Sequence, residues 1–241
     1  MNKEKTASEA IKFRRSVRVF SDEDLDSEKV ENCLRNATLA PNSSNLQLWQ
    51  FIHVANKNVL KKLSKACLNQ SAAKTANQLV IIVVRKDLWR ERANWNADII
   101  LKQSKENQIS HKRLNQAQKY YKKIIPTLYF DFLGVFGIIK NIIFQLIGLF
   151  MPTVRQVSST DTRIVAHKSA GLAAQNFMIS MAGIGYDTCP MEGSDTLLVK
   201  KILKLPSKSE INMVIGCGIR TEKGIYGEQL RVPFKDVYSY I

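Results

Sequence analysis

Ala40-Pro41-Asn42-Ser43-Ser44-Asn45-Leu46-Gln47-Leu48-Trp49 runs directly into Gln50-Phe51-Ile52-His53-Val54, so a helix stop, a polar loop and a short apolar strand follow one another. Proline cannot continue a helix and restricts the residue before it, so the helix upstream ends near Ala40-Pro41. That helix starts at a cap of Asp26 or Ser27 and repeats Val30, Cys33, Leu34 and Ala37 on one face. Asn and Ser favour turns because their side chains bond nearby backbone. On residues alone the loop is either a plain turn with Trp49 packed in the core or a row of amides and hydroxyls able to read a heterocycle's edge.

The same alternation continues outward. Thr6 and Glu9 form a capping-box pattern for a short helix to about Phe13. A helix around Lys57 to Cys67 separates the Gln50–Val54 strand from a second buried strand at Leu79–Val84. After Thr160, the run Ile164, Ala170, Ala173, Ala174, Phe177 and Met181 predicts a long central helix buried on most of its surface, stopped by Gly183 and Gly185. Ile211 to Ile215 reads as a further strand, followed by Gly216-Cys217-Gly218. The expectation is an α+β fold, a mainly antiparallel central sheet flanked by helices, in a single domain spanning 1–241 with an insertion at about 86–160.

Composition narrows the function. The chain has 241 residues, 45% of them hydrophobic, enough for one substantial core. Cys33, Cys67, Cys189 and Cys217, and His53, His111 and His167, lack metal-ligand spacing, so neither a metal nor a disulfide framework is expected. Met1 to Lys12 is polar and charged, which argues against a secretory signal and for a cytoplasmic location. A formal charge of +15 suits polyanions, anionic membrane surfaces or phosphorylated cofactors. Without zinc-finger spacing or an aromatic RNA-reading box, nucleic acid is not an expected partner.

Arg14-Arg15-Ser16-Val17-Arg18 concentrates three guanidiniums and a hydroxyl, which fits either a solvated basic turn or a phosphate grip. In order along the chain come this stretch, the Ala40–Trp49 stretch, Cys189-Pro190-Met191-Glu192-Gly193, and Gly216–Gly218 followed by Leu230-Arg231-Val232-Pro233. This series resembles the nitroreductase family of flavoproteins over residues 6–85 and 161–241. The resemblance implies bound FMN, NAD(P)H as reductant, and an intertwined homodimer with two sites across the interface. Arg14, Arg15 and Ser16 would then hold the FMN phosphate and ribityl chain, with Arg18 at the pyrimidine end of the ring. Asn69, seven residues before Ala76, falls where the family places an amide on the flavin pyrimidine. Asn42, Ser43 and Asn45, with Gln47 beside them, would approach from the second subunit. Pro190, Met191, Glu192 and Gly193 would line the ring's other side, a backbone N–H near Glu192 or Gly193 donating to the nitrogen that takes the hydride. Arg231 would return to the phosphate; Gln229 stands where several relatives carry lysine, and Arg220 is the residue to compensate. Leu48 replaces the family's proline before tryptophan, and Asn42 replaces a serine.

The insertion carries the positive excess: Lys102 to Lys123 contains seven Lys or Arg and one acid, Glu106. Ile124 to Val154 then forms an apolar stretch broken by Pro126, Asp131, Lys140, Asn141, Gln145 and Pro152. Those breaks argue against a transmembrane span, which needs about 20 uninterrupted apolar residues. Two readings of this basic helix plus apolar segment remain: a lid over the flavin and partner subunit, or a peripheral membrane contact through 102–154 in which the basic helix meets anionic headgroups and Phe130, Phe132, Phe136, Phe144 and Phe150 dip into the interface.

The resemblance implies ping-pong transfer from NADH or NADPH through FMN to a small acceptor such as a nitroaromatic or quinone. No nucleophile or acid–base dyad is expected, because the cofactor carries the chemistry. The competing readings are a reductive dehalogenase of the same fold and a cationic membrane-surface flavin-binding protein without turnover.

Overall fold

The computed structural model describes residues 4–106, 109–131 and 135–241. Four strands form one antiparallel sheet: β1 (Trp49–Val54), β2 (Gln78–Val84), β3 (Asp187–Met191) and β4 (Glu210–Gly218), in the order β1-β2-β4-β3. Ile52 lies opposite Ile81, Val80 opposite Ile215 and Cys189 opposite Gly216. The register shifts between Ile82 and Val83, where β2 meets β4. The antiparallel α+β expectation is met.

Period-two alternation along β2 explains why all seven of its residues are buried. Val80, Ile82 and Val84 join one core with α2 (Ser27–Ala37) and the long α9 (Ser159–Gly183). Leu79, Ile81 and Val83 face a second core with α3 (Lys57–Ala66), α4 (Ser71–Thr75) and α10 (Thr196–Ile202). Helices therefore cover both faces of the strand, which suits a run without polar residues. Gln78 is the polar exception. Its Nε2 donates to the Leu25 carbonyl and the Ser27 hydroxyl, each at 3.0 Å, and its Oε1 meets His53 Nε2 at 2.7 Å, so the buried amide ties the start of α2 to the sheet.

α1 (Ala7–Phe13) begins with the capping box at Thr6 and Glu9. α9 has its own at Ser158 and Asp161. The central helix buries Ala170, Ala173, Ala174, Phe177 and Met181, as its sequence predicts, but Ile164, Lys168, Leu172 and Gln175 form an exposed stripe along it. The expectation of burial around most of the helix is thus only half met within one chain. β3 went unread because it contains Pro190; proline lacks the ladder donor and survives here because β3 is the sheet's last strand.

The insertion folds as α5 (Trp89–Lys105), α6 (His111–Lys119), a π-helical turn at Tyr120–Ile124, α7 (Ile125–Tyr129) and α8 (Val135–Phe150). Its basic residues are thus divided among several short elements rather than one helix. Phe132 lies outside the described residues. Among these residues, no helix is long and apolar enough to cross a membrane.

Candidate functional site

Arg14 ends α1, its N–H donating to the Ala10 carbonyl while its own backbone turns extended. The chain then runs beside β3: Ser16 forms a parallel bridge to Thr188, and the Val17 N–H donates to the Thr188 carbonyl at 3.2 Å. Val17 and Phe20 are buried and fix the segment from beneath. Arg15 Nη2 donates to the Gly227 carbonyl at 2.8 Å, and the Arg18 N–H to that of Gly224 at 2.6 Å. Only glycine fits at 224, because a Cβ there would stand 2.6 Å from the Val19 carbonyl oxygen.

These contacts fold the segment after β4 back over the arginines. A cleft of about 210 Å³ results, lined by Arg14, Arg15, Ser16 and Arg18 on one side and by Tyr226, Glu228 and Arg231 among others opposite. No salt bridge joins Arg14, Arg15, Arg18 or Arg231 to a carboxylate among the described residues. Burial and the nearby Arg231 charge both push the Arg14 guanidinium below the usual arginine range. Like charges gathered this way are stabilised by an anion of several oxygens, such as a phosphate. Burial raises the neighbouring Cys189 thiol, with Arg18 and Arg14 opposing that shift.

Arg220, expected to help at the phosphate, is engaged elsewhere. Its guanidinium pairs with Asp187, donates to the Phe13 carbonyl at 3.2 Å and lies over the Phe13 ring at 4.2 Å from the centroid. It braces the cleft's back wall and is not among the residues lining it.

The Asn42–Leu48 loop is a separate feature. Ser44, Asn45 and Gln47 all have positive φ (57°, 51° and 48°), a region that costs most side chains about 1 kcal/mol or more. Bonds from three elements hold it. Asn45 Nδ2 donates to Asn96 Oδ1 at 2.9 Å, while Asn96 Nδ2 donates back to the Asn45 carbonyl at 2.8 Å. The Ser43 N–H meets Ser169 Oγ of α9 at 3.3 Å, and the Ser44 hydroxyl shares a 2.7 Å bond with that of Tyr120. Asn42 Oδ1 accepts from the Gln47 N–H at 2.8 Å. Trp49, packed in the core, satisfies the simpler reading as well.

A third feature ties the residue beside Asn69 to Gly193, just past the end of β3. Asn69 has φ 54°, and its neighbour Gln70 donates from Nε2 to the Gly193 carbonyl at 2.6 Å. Asn69 lines a different groove, with Asp22, Lys57 and Asn77. Met191 is a core side chain, whereas Glu192 and Gly193 are exposed and present backbone. One chain therefore brings Arg14, Arg15, Ser16, Arg18 and Arg231 into one cleft, and leaves the amide loop and the 190–193 turn outside it. Sequence reading missed Asp187, Asn96, Tyr120 and Gln70, which position the others. A carboxylate opening a strand and an Asn in a helix interior were the available signals.

A model described as the nitroreductase family matches residues 11–219. DrgA of Synechocystis is 25% identical over 215 residues, covering 89% of this chain and 84% of its own. SERP2086 of Staphylococcus epidermidis, provisionally named an NAD(P)H nitroreductase, is 26% identical over 246 residues, covering 98% of this chain and 97% of its own. Two solved structures share the fold: ydfN of Bacillus subtilis, with a TM-score of 0.76 at 22% identity over 97% of this chain and 98% of that one, and a protein of Exiguobacterium sibiricum solved in complex with FMN, with 0.71 at 18% identity over 100% and 99%.

Proposed function

Because the chain belongs to the nitroreductase family, we propose that it is an FMN-dependent oxidoreductase that takes hydride from NAD(P)H and passes the electrons, in ping-pong fashion, to a small acceptor such as a nitroaromatic or quinone. The observation that carries this reading is the set of guanidiniums without carboxylate partners around one cleft, a donor set suited to a phosphomonoester. When bound, FMN supplies the two-electron chemistry.

In this reading Arg14, Arg15, Ser16 and Arg231 hold the phosphate and ribityl chain. Arg18 faces the pyrimidine end of the ring and favours its negatively charged reduced form. The Pro190–Gly193 turn offers a backbone N–H to the ring edge, and Asn69 an amide. Asn42, Ser43, Asn45 and Gln47 complete the site from a second copy. Two features support that assembly. The cleft is smaller than the roughly 300 Å³ of a complete small-molecule pocket. Apolar residues also stand exposed along α9, at Ile164 and Leu172, and along the carboxyl-terminal tail, at Val232, Phe234, Val237 and Tyr240, as an intertwined dimer would need.

The test is the visible spectrum of the purified protein, then of the same sample made anaerobic and given NADH or NADPH. Flavin bands that bleach are the expected result. Bands that persist would favour flavin binding without turnover, and a protein that cannot be loaded with FMN would refute the proposal.

A further inference from the structure

Surface helices ordinarily turn apolar side chains inward and polar ones to water. α8 does the reverse. Its polar side chains are spent on its own chain: Lys140 Nζ donates to the carbonyls of Leu128 at 2.9 Å and Phe130 at 2.8 Å, and Gln145 Nε2 to that of Arg155 at 3.2 Å. The Arg155 guanidinium returns to Gln145 Oε1 at 2.9 Å and to the Gly148 carbonyl. Meanwhile Ile138 (65% exposed), Ile142, Leu146, Leu149 (71%) and Phe150 (89%) face outward. At 100° per residue the outward apolar positions fill roughly half the circumference, with no charge among them.

Cations stand close by. Lys119, Lys122 and Lys123 are exposed just before α7, and Lys140 ties α8 to the other end of that helix. α7 is about 8 Å long at 1.5 Å per residue, within about one screening length at physiological salt.

We propose that α8 and the lysines leading into α7 dock this protein on an anionic lipid surface, with α8 lying flat among the headgroups. Half a circumference of apolar side chains with exposed lysines one short helix away is the pattern of an interfacial segment. The described part of α8, Val135–Phe150, is about 24 Å long, short of the roughly 30 Å hydrocarbon core, so among the described residues it suits the surface rather than a crossing. Local charge favours lipid over a second copy as the occupant of this face: pairing two such faces would bring Lys119, Lys122 and Lys123 of two copies together, whereas anionic headgroups complement them. The inference stands apart from the flavin assignment.

The experiment is co-sedimentation of the purified protein with phosphatidylglycerol or phosphatidylcholine vesicles, alongside Ile142→Glu/Leu146→Glu and Lys122→Glu/Lys123→Glu. The protein should pellet with phosphatidylglycerol at low salt and bind phosphatidylcholine at least about tenfold more weakly. Both double variants should lose about tenfold or more in affinity for phosphatidylglycerol while keeping the parental melting temperature. Protein that stays in the supernatant, or binding that neither variant weakens, overturns the proposal. So does self-association in sedimentation velocity that Ile142→Glu/Leu146→Glu abolishes without any vesicle binding, because the face would then be a contact between copies.

Discussion

Asp187, 3% exposed at the head of β3, receives the Arg220 backbone N–H on Oδ2 at 2.8 Å and the Arg220 guanidinium on both oxygens. One carboxylate thereby joins the head of β3 to the segment leaving β4 and fixes the arginine that reaches back to Phe13, where α1 ends and the basic segment begins.

Breaking that pair leaves a half-buried cation without its anion. Asp187→Ala should cost about 3 kcal/mol of stability. It should also weaken FMN binding, because the segment bridged to Thr188 carries the arginines. Chemical denaturation and flavin titration of the apoprotein check both effects; unchanged flavin affinity would show that Asp187 serves folding alone.

Arg231 acts on the cleft in the opposite sense. Its charge lies close enough to Arg14 to disfavour that guanidinium, second only to burial. Arg231→Gln should therefore leave the apoprotein at least as thermostable as the parent while weakening FMN binding about tenfold, roughly one charge-assisted hydrogen bond. Differential scanning fluorimetry with and without FMN separates the two.

The amide loop depends on a side chain outside it. Asn96, 4% exposed, bonds Asn45 twice and the Arg92 carbonyl once, at 3.0 Å. Asn96→Leu removes both side-chain bonds from α5 that hold Asn45 in its left-handed backbone and should destabilise the protein by about 1–3 kcal/mol. If the loop completes a partner's site, kcat/KM for the acceptor falls while FMN stays bound in the arginine cleft, as steady-state kinetics would register.

Acid stability should carry the mark of Glu210. Burial opposes its ionised form, but bonds from Arg163 and from His167 Nε2 outweigh it and hold the carboxyl below the ordinary glutamate range. A folded value below the unfolded one, about 4.3, contributes stability above that pH and loses it as acid protonates the folded carboxylate. The denaturation midpoint of the parent should thus fall with pH below about 4.3, and that of Glu210→Gln should fall less steeply over the same range.

Much of this was legible along the chain. The helix at 27–37 and the strands at 49–54 and 78–84 declare themselves through spacing, caps and β-branched runs, because each is stabilised largely by neighbours in its own pattern. The arginine cleft was legible as composition, since Arg14 to Arg18 are contiguous, and Arg231 came in through resemblance. What spacing could not convey was partnership across distance. Arg220 looked like a free cation until Asp187, well upstream and at the head of a strand containing proline, claimed it. The apolar stretch at 124–154 read as either a lid or a membrane contact, because the polar side chains α8 turns back on its own chain are chosen by carbonyls at Leu128, Phe130 and Arg155, which no periodicity records.

The short run from Ser16 to Val17 has a second consequence. β3 is the end strand of the sheet, and an open end invites another chain to add itself there. By bridging to Thr188, the same residues that arm the cleft also seal that border. Any change that peels the arginine segment away would remove the cleft and uncover a strand ready to recruit strangers, so variants that lose their colour by detaching this segment should also be the ones that precipitate.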